Sequence, residues 1–178
     1  GAMNILNNTT YKAFVSPNSD DRGIALGCLL SLIKPSEPID STYLGSEPYD
    51  DIPEGKDISV GEVSQMLLQG KIIGLIQGRA EHGARALGNR SILCTPKQGV
   101  KERLNSEVKN REWFRPFAGV CREEDAYKYF KSYGRHRWMT HNVKVKDSQF
   151  PGITHVDKTC RLQTVTEKQI NEFHKALS

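Results

Sequence analysis

The stretch Gly70–Ser91, GKIIGLIQGRAEHGARALGNRS, decides how the rest of the chain is interpreted. It begins with the apolar, β-branched run 72–76, which predicts a short buried strand. A polar loop follows, with three glycines and three arginines around the carboxylate of Glu81. Glycine allows close backbone approach and positive φ, and the arginine fork matches carboxylates and phosphates. The loop is therefore predicted to bind an anion, although composition leaves open a solvated basic loop with no ligand.

Composition places the chain among soluble globular proteins of about one domain, since 26% of its 178 residues are charged and 37% are hydrophobic. The net charge of +4 favours anionic partners only weakly and does not by itself indicate nucleic-acid binding. Four scattered cysteines without zinc spacing predict reduced interior thiols. With no apolar run of membrane length and no signal peptide, we expect a cytoplasmic protein.

Hydrophobic periodicity and turn signals predict a mixed α/β domain. The predicted strands cover 11–15, 72–76, 91–95, 113–120, 138–145 and 153–165, and the predicted helices cover 21–33, 59–69, 99–109, 123–130 and 166–177. Helix 21–33 is apolar nearly all round, which predicts burial on several sides, in this chain or against another copy. The region 35–55 is rich in Pro, Ser, Glu and Asp and is predicted to be a linker.

Three further patterns suggest ligand contacts. Arg111 and Arg115 flank an aromatic pair, so at least one guanidinium is expected in the interior, where it needs an anion or an acid. Alternate residues of the last predicted strand form a polar face that fits either a ligand or solvent. His82 is a candidate acid, base or phosphate donor. The face consists of His155, Asp157, Thr159, Arg161 and Gln163.

Several of these motifs, in this order, resemble the NodU-like carbamoyltransferase family, and specifically its C-terminal domain. The resemblance covers about residues 56–165. The matching pieces are Gln77-Gly78-Arg79, Gly83, Arg85-Ala86-Leu87-Gly88-Asn89-Arg90-Ser91, Arg103-Leu104-Asn105, Arg111-Glu112-Trp113-Phe114-Arg115-Pro116-Phe117, Thr154-His155-Val156-Asp157 and Arg161-Leu162-Gln163.

The resemblance implies a YrdC-like twisted sheet flanked by helices. It implies that the domain binds ATP, with Mg²⁺ carried by the nucleotide, and carbamoyl phosphate, and forms carbamoyl adenylate. An ASKHA-like domain would then pass the carbamoyl group to a hydroxyl acceptor. Carried across by position, the catalytic residues would be Arg79, Arg85 and Arg115. The substrate- and nucleotide-binding residues would be Gln77, His82, Asn89, Arg90, Ser91, Asp157, Thr159 and Arg161, with no metal site in the chain itself.

The same resemblance predicts how the chain divides. Residues 1–3 are typical of an expression scar, 4–34 would end the ASKHA-like domain, 35–55 would link, and 56–178 would form the YrdC-like domain. We expect that domain to be incomplete, because the chain ends before the family's later Asn-Thr-Ser-Phe-Asn segment, and the chain could be inactive by itself. The alternative is a non-catalytic basic module that binds RNA or nucleotides. A homo-oligomer through helix 24–33 is a further expectation.

Overall fold

The computed structural model describes residues 15–39, 41–48, 55–132, 134–146 and 149–166. Helix α1 (Asp21–Ile33) has the predicted bounds, and the Asp20 side chain accepts a hydrogen bond from the Arg22 amide at its N-terminus. The predicted strand 11–15 and helix 166–177 lie almost entirely outside the described residues. No helix in the described part is long and apolar enough to cross a membrane.

The predicted burial of α1 is wrong within this chain. No residue of the helix is buried, and its large apolar side chains Ile24, Leu29, Leu32 and Ile33 are 50–82% exposed. Cys28 on the same helix is also exposed, so the prediction of interior thiols fails there. All four cysteines are free, and Cys160 is fully buried. Association of α1 with another copy stays a prediction.

A helix and a hairpin carry the arginine-rich loop. Helix α2 (Val60–Leu68) begins with the predicted capping box between Ser59 and Glu62. The chain then enters β1 (Ile73–Ile76), which pairs antiparallel with β2 (Arg90–Leu93), with Ile76 opposite Arg90. Loop 77–89 is therefore the connection of a two-stranded hairpin. Ile73 is the only buried residue of β1, and Ile76 at the other end of the strand is 45% exposed.

A second sheet forms the core. Its strands are β3 (Ala118–Arg122), β4 (Phe130–Lys131), β5 (Asn142–Val145) and β6 (Thr159–Val165), in the order β3-β6-β5-β4. Strands β3 and β6 are parallel, whereas the other pairs are antiparallel. Helix α3 (Val100–Arg103), which continues as a π-helical turn Leu104–Val108, precedes β3, and helix α4 (Ala126–Tyr129) precedes β4. The mixed α/β class is confirmed.

The central strand β6 separates core from site by simple alternation. Cys160 and Leu162 are fully buried and pack with Ala126, Phe130 and Val143 in the core. Arg161 and Gln163 alternate with them and line a cleft. Because successive side chains of a strand point to opposite faces, this one strand contributes to both the hydrophobic core and the polar lining of the cleft.

Several predicted strands are shorter than expected. The last begins at Thr159 and not at Ile153, because His155 accepts a turn hydrogen bond from the Lys158 amide and Lys158 has a positive φ of 62°. His155 and Asp157 consequently do not share a strand face with Arg161. The predicted strands 113–120 and 138–145 likewise begin only at Ala118 and Asn142.

Candidate anion-binding site

A cleft of about 530 Å³ lies between the β1–β2 hairpin and the four-stranded sheet. Loop 77–89 contributes residues 84–88 to its lining, β6 contributes Arg161 and Gln163, and segment 109–120 contributes a further rim. Of the residues predicted for the site, this lining includes Gln77, Arg85, Ser91 and Arg161. The hairpin loop and the central strand thus meet in one cavity.

Three arginines line the cleft, and none forms an ion pair with a described residue. Arg111 has a side-chain hydrogen bond to Asn105, whereas the guanidinium groups of Arg85 and Arg161 have none to a described residue. Burial lowers the pKa of half-buried Arg161, and repulsion from Arg85 lowers it further. Two positive groups that repel one another without a carboxylate are stabilised when an anion binds between them. We call Arg85 and Arg161 the cleft arginines.

The walls around the cleft arginines are largely apolar. They include Leu75 and Ile92 from the hairpin, Leu104 from the π-helical turn and Phe117 ahead of β3. Apolar walls reduce the dielectric screening of charges, so a bound anion interacts more strongly with guanidinium groups here than at an open surface. The arrangement suits a ligand with both apolar and phosphorylated parts.

Backbone geometry explains the glycines in the loop. Gly78, Gly83 and Gly88 all have positive φ, at 43°, 122° and 115°. At Gly83 a Cβ atom would also lie 2.7 Å from Asn18 Oδ1, so the Asn18 side chain would have to move. These observations agree with the prediction that the glycines permit unusual backbone conformations.

Two buried glutamines fix the loop to its surroundings. Gln77 donates from Nε2 to the Gly88 carbonyl at 2.8 Å, which closes the base of the loop. Gln163 of β6 donates from Nε2 to the Leu87 carbonyl at 3.0 Å, and the Tyr43 hydroxyl donates to the same oxygen at 2.9 Å. Burial, with a smaller contribution from Glu81, raises the pKa of Tyr43 to about 12. Tyr43 therefore stays a neutral donor.

Arg79 and Arg90 lie outside the cleft lining and bind backbone carbonyls. Arg79 donates to the carbonyls of Gly45 and Leu44, both at 2.9 Å. Arg90 donates from Nη1 to Gln77, Gly78 and Asn89 at 2.8–3.0 Å, and from Nη2 to Ser46 at 3.2 Å. We call these two the clamp arginines, because both hold segment 41–48 against the loop.

Main-chain hydrogen bonds also join segment 41–48 of the predicted linker to the loop. Gly45 donates to the Ala80 carbonyl, Ala80 donates to the Ser46 carbonyl, and the His82 amide donates to the Thr42 carbonyl. The His82 ring lies 3.2 Å from the Arg22 carbonyl through Nε2. His82 consequently contacts α1 and segment 41–48, and the cleft lining does not include it.

The remaining predicted residues make local contacts. Arg115 is exposed and pairs with Glu112 at 3.5 Å. Asp157 accepts from both the amide and the hydroxyl of Thr159, at 3.0 and 2.6 Å. Buried Asn89 donates from Nδ2 to the Arg79 carbonyl, while its Oδ1 has no donor among the described residues. The structure thus places only part of the predicted set in one cavity.

The cleft lining also includes Arg111 and Gln163, which the sequence patterns singled out but which were not among the site residues implied by the family resemblance. Arg111 donates from Nε to buried Asn105 Oδ1 at 2.7 Å, and its guanidinium lies 4.6 Å from the Phe117 ring centre. Burial, and then repulsion from Arg115, lower the Arg111 pKa. The sequence feature that pointed to Arg111 was its position next to an aromatic pair. The feature that pointed to Gln163 was the alternation of polar residues along the last predicted strand.

The cleft lining also includes a cysteine, Cys94. Burial raises the pKa of its thiol, so the reactive thiolate is disfavoured. In the described part of the chain, no group of three or more His, Cys, Asp or Glu side chains could hold a metal ion. What the cleft offers is positive charge and hydrogen-bond donors in apolar surroundings.

Comparisons of the sequence with known protein families and with individual proteins agree on one family. The family described as Carbamoyltransferase C-terminus matches residues 64–178. The chain is 37% identical to nodulation protein NolO of Bradyrhizobium diazoefficiens and covers 36% of it; 93% of this chain is aligned. It is also 37% identical to 3'-hydroxymethylcephem-O-carbamoyltransferase of Amycolatopsis lactamdurans, with 93% of this chain and 34% of that protein covered.

Nodulation protein U of Azorhizobium caulinodans is 33% identical over 92% of this chain and 31% of its own length. The chain spans about a third of the length of the curated relatives it matches. The match covers the arginine loop, the π-helical turn and β6, which together line the cleft. The chain belongs to the carbamoyltransferase C-terminal family.

Proposed function

We propose that this chain is the part of an O-carbamoyltransferase that binds ATP and carbamoyl phosphate and supports formation of carbamoyl adenylate. The observation that carries the proposal is the pair of cleft arginines, which line one apolar-walled cavity and have no acidic partner among the residues that the structure describes. Both substrates are phosphorylated, and guanidinium groups bind phosphate bidentately. One substrate also has an aromatic base that suits apolar walls.

Adenylation is chemistry that such a site can support without a protein nucleophile. Water first cleaves carbamoyl phosphate into carbamate and inorganic phosphate. A carbamate oxygen then bonds to the α-phosphorus of ATP while the bond to pyrophosphate breaks, so negative charge moves onto the pyrophosphate. Fixed positive groups stabilise that charge as it develops, and Mg²⁺ carried by ATP would add to them. Arg85, Arg161 and Arg111 are the cleft residues suited to this role. Transfer to a hydroxyl acceptor would need the remainder of a longer protein.

Calorimetry with ATP and carbamoyl phosphate, each titrated with Mg²⁺ present, tests the proposal. Wild-type chain should bind both, and Arg161→Gln should weaken each by about 10- to 100-fold, because a hydrogen bond to a charged group contributes about 1.5–3 kcal/mol. The matched control is Arg122→Gln, since Arg122 pairs with Asp125 at the end of β3. Equal weakening in both variants, or no binding by wild type, would contradict the proposal.

The same titrations at several salt concentrations address the alternative of a basic RNA-binding module. A module that tracks an RNA backbone neutralises several phosphates, so its affinity falls steeply with salt. A compact site built on two guanidinium groups should show a shallow dependence with ATP and no comparable affinity for single-stranded RNA. Steep, tight RNA binding would favour the alternative.

A further inference from the structure

The carboxylate of Glu81 contacts backbone amides and not the neighbouring arginines. Its Oε1 atom accepts hydrogen bonds from the amides of Leu87 at 2.6 Å, Asn89 at 2.8 Å and Arg90 at 3.3 Å. In the described part of the chain it forms no ion pair. An acid among three arginines would ordinarily pair with one of them. Here the carboxylate instead organises the loop.

The Glu81 hydrogen bonds close a loop of main chain that includes Arg85. The Glu81 side chain accepts from the amides of Leu87 and Asn89, which follow Arg85 in the chain. The Gly88 amide, which lies between them, donates to Ser91 Oγ at 2.9 Å, so the amides of residues 87–90 are all satisfied by side-chain oxygens. A loop closed in this way has few alternative conformations. The backbone that carries Arg85 is therefore fixed relative to β2.

We propose that Glu81 is a positioning residue that fixes the loop so that Arg85 faces Arg161 across the cleft. The inference rests on the proposed function, in which these two arginines hold a phosphorylated ligand. Glu81 would not touch that ligand. It acts through the backbone, and its negative charge is a cost, since a carboxylate near the cleft opposes anion binding.

Charge and geometry predict opposite results for removal of Glu81, which makes the inference testable. If Glu81 acted only as a nearby negative charge, any neutral substitution would strengthen anion binding. If it positions the loop, a neutral residue that still accepts hydrogen bonds preserves binding, whereas one that cannot accept them weakens it. Glutamine keeps the side-chain length and one acceptor oxygen. Alanine keeps neither.

The experiment is calorimetric titration of the 178-residue chain with inorganic pyrophosphate. Glu81→Gln should bind as tightly as wild type or more tightly. Glu81→Ala should bind about 10-fold more weakly, in line with the cost of small misplacements in a preorganised site. Glu107→Ala, which removes a carboxylate from the π-helical turn, is the control for net charge and should not weaken binding.

Glu81→Asp provides a second test should Glu81→Ala not fold, as judged by circular dichroism. Aspartate keeps the charge but is shorter, so Glu81→Asp should bind pyrophosphate more weakly than wild type, whereas a role of the charge alone predicts equal affinity. Tighter binding by Glu81→Ala, or equal affinity in all Glu81 variants, overturns the inference while leaving the proposed function intact. Absence of pyrophosphate binding by wild type overturns the proposed function and this inference with it.

Discussion

The cleft arginines and the clamp arginines were all predicted for the site, but they have different contacts. Arg85 and Arg161 line the cleft without an acidic partner in the described residues, whereas Arg79 and Arg90 donate to main-chain carbonyls. A guanidinium whose donors are already bound to carbonyls has little capacity left for a phosphate, since its donors lie in one fixed fork. Arginine in a basic loop therefore serves two purposes here. One set is available to a ligand, and the other holds the loop and segment 41–48 in place.

The largest expected difference between the two sets of arginines is the loss of stability when Arg90 is substituted. Arg90→Lys should lower the free energy of unfolding by about 2–4 kcal/mol, because lysine cannot reproduce hydrogen bonds from one planar fork to several carbonyls. The measurement is urea unfolding followed by tryptophan fluorescence. Arg85→Lys is the matched control and should leave stability unchanged. Equal losses in the two variants would abolish the distinction between the sets.

A smaller effect is expected at Arg79. Arg79→Ala should cost about 1 kcal/mol, because its two hydrogen bonds to Leu44 and Gly45 are exposed. It should also speed proteolytic cleavage within segment 41–48, which these bonds hold against the loop. Limited proteolysis with mass spectrometry locates the cut. Arg103→Ala, which removes one exposed ion pair with Glu107, serves as the control. An unchanged cleavage rate would show that Arg79 does not hold this segment.

The smallest effect concerns the pH dependence of stability, which should come from histidines outside both sets of arginines. Burial lowers the pKa of His136, His141 and His155 below the ordinary 6.5. The unfolded chain then binds more protons than the folded chain below about pH 6.5. Stability should be complete above that pH and fall between pH 6.5 and 5.

Urea unfolding between pH 7.5 and 5 measures this dependence. Wild type and Arg90→Lys should lose the same increment of stability, and His136→Asn should flatten the slope. Hydrogen bonds lower the pKa values of Glu62, Glu112, Asp125 and Asp157 from ordinary values of 3.8–4.5, so these carboxylates do not contribute in this range. A slope that changed with the Arg90 substitution would mean that the clamp is coupled to the histidines, contrary to the contacts described above.

Local sequence signals predicted helix starts and loop conformations well. The capping box at Ser59 and the positive φ of Gly78, Gly83 and Gly88 follow from chemistry within a few residues. The same signals failed at one local turn and at one helix. The turn at 155–158 ended a predicted strand early, and the apolar helix α1 has no buried residue in the described part of the chain.

The sequence by itself determined the family, the mixed α/β class and a loop with more positive charge than its own acid can neutralise. Only the tertiary structure decided which arginines face the cleft, because it alone shows that segment 41–48 supplies carbonyls to Arg79 and Arg90. It likewise showed that Glu81 binds amides and forms no ion pair with Arg85. Hydrogen-bond partners far apart in the chain depend on packing, and residue order does not encode them locally.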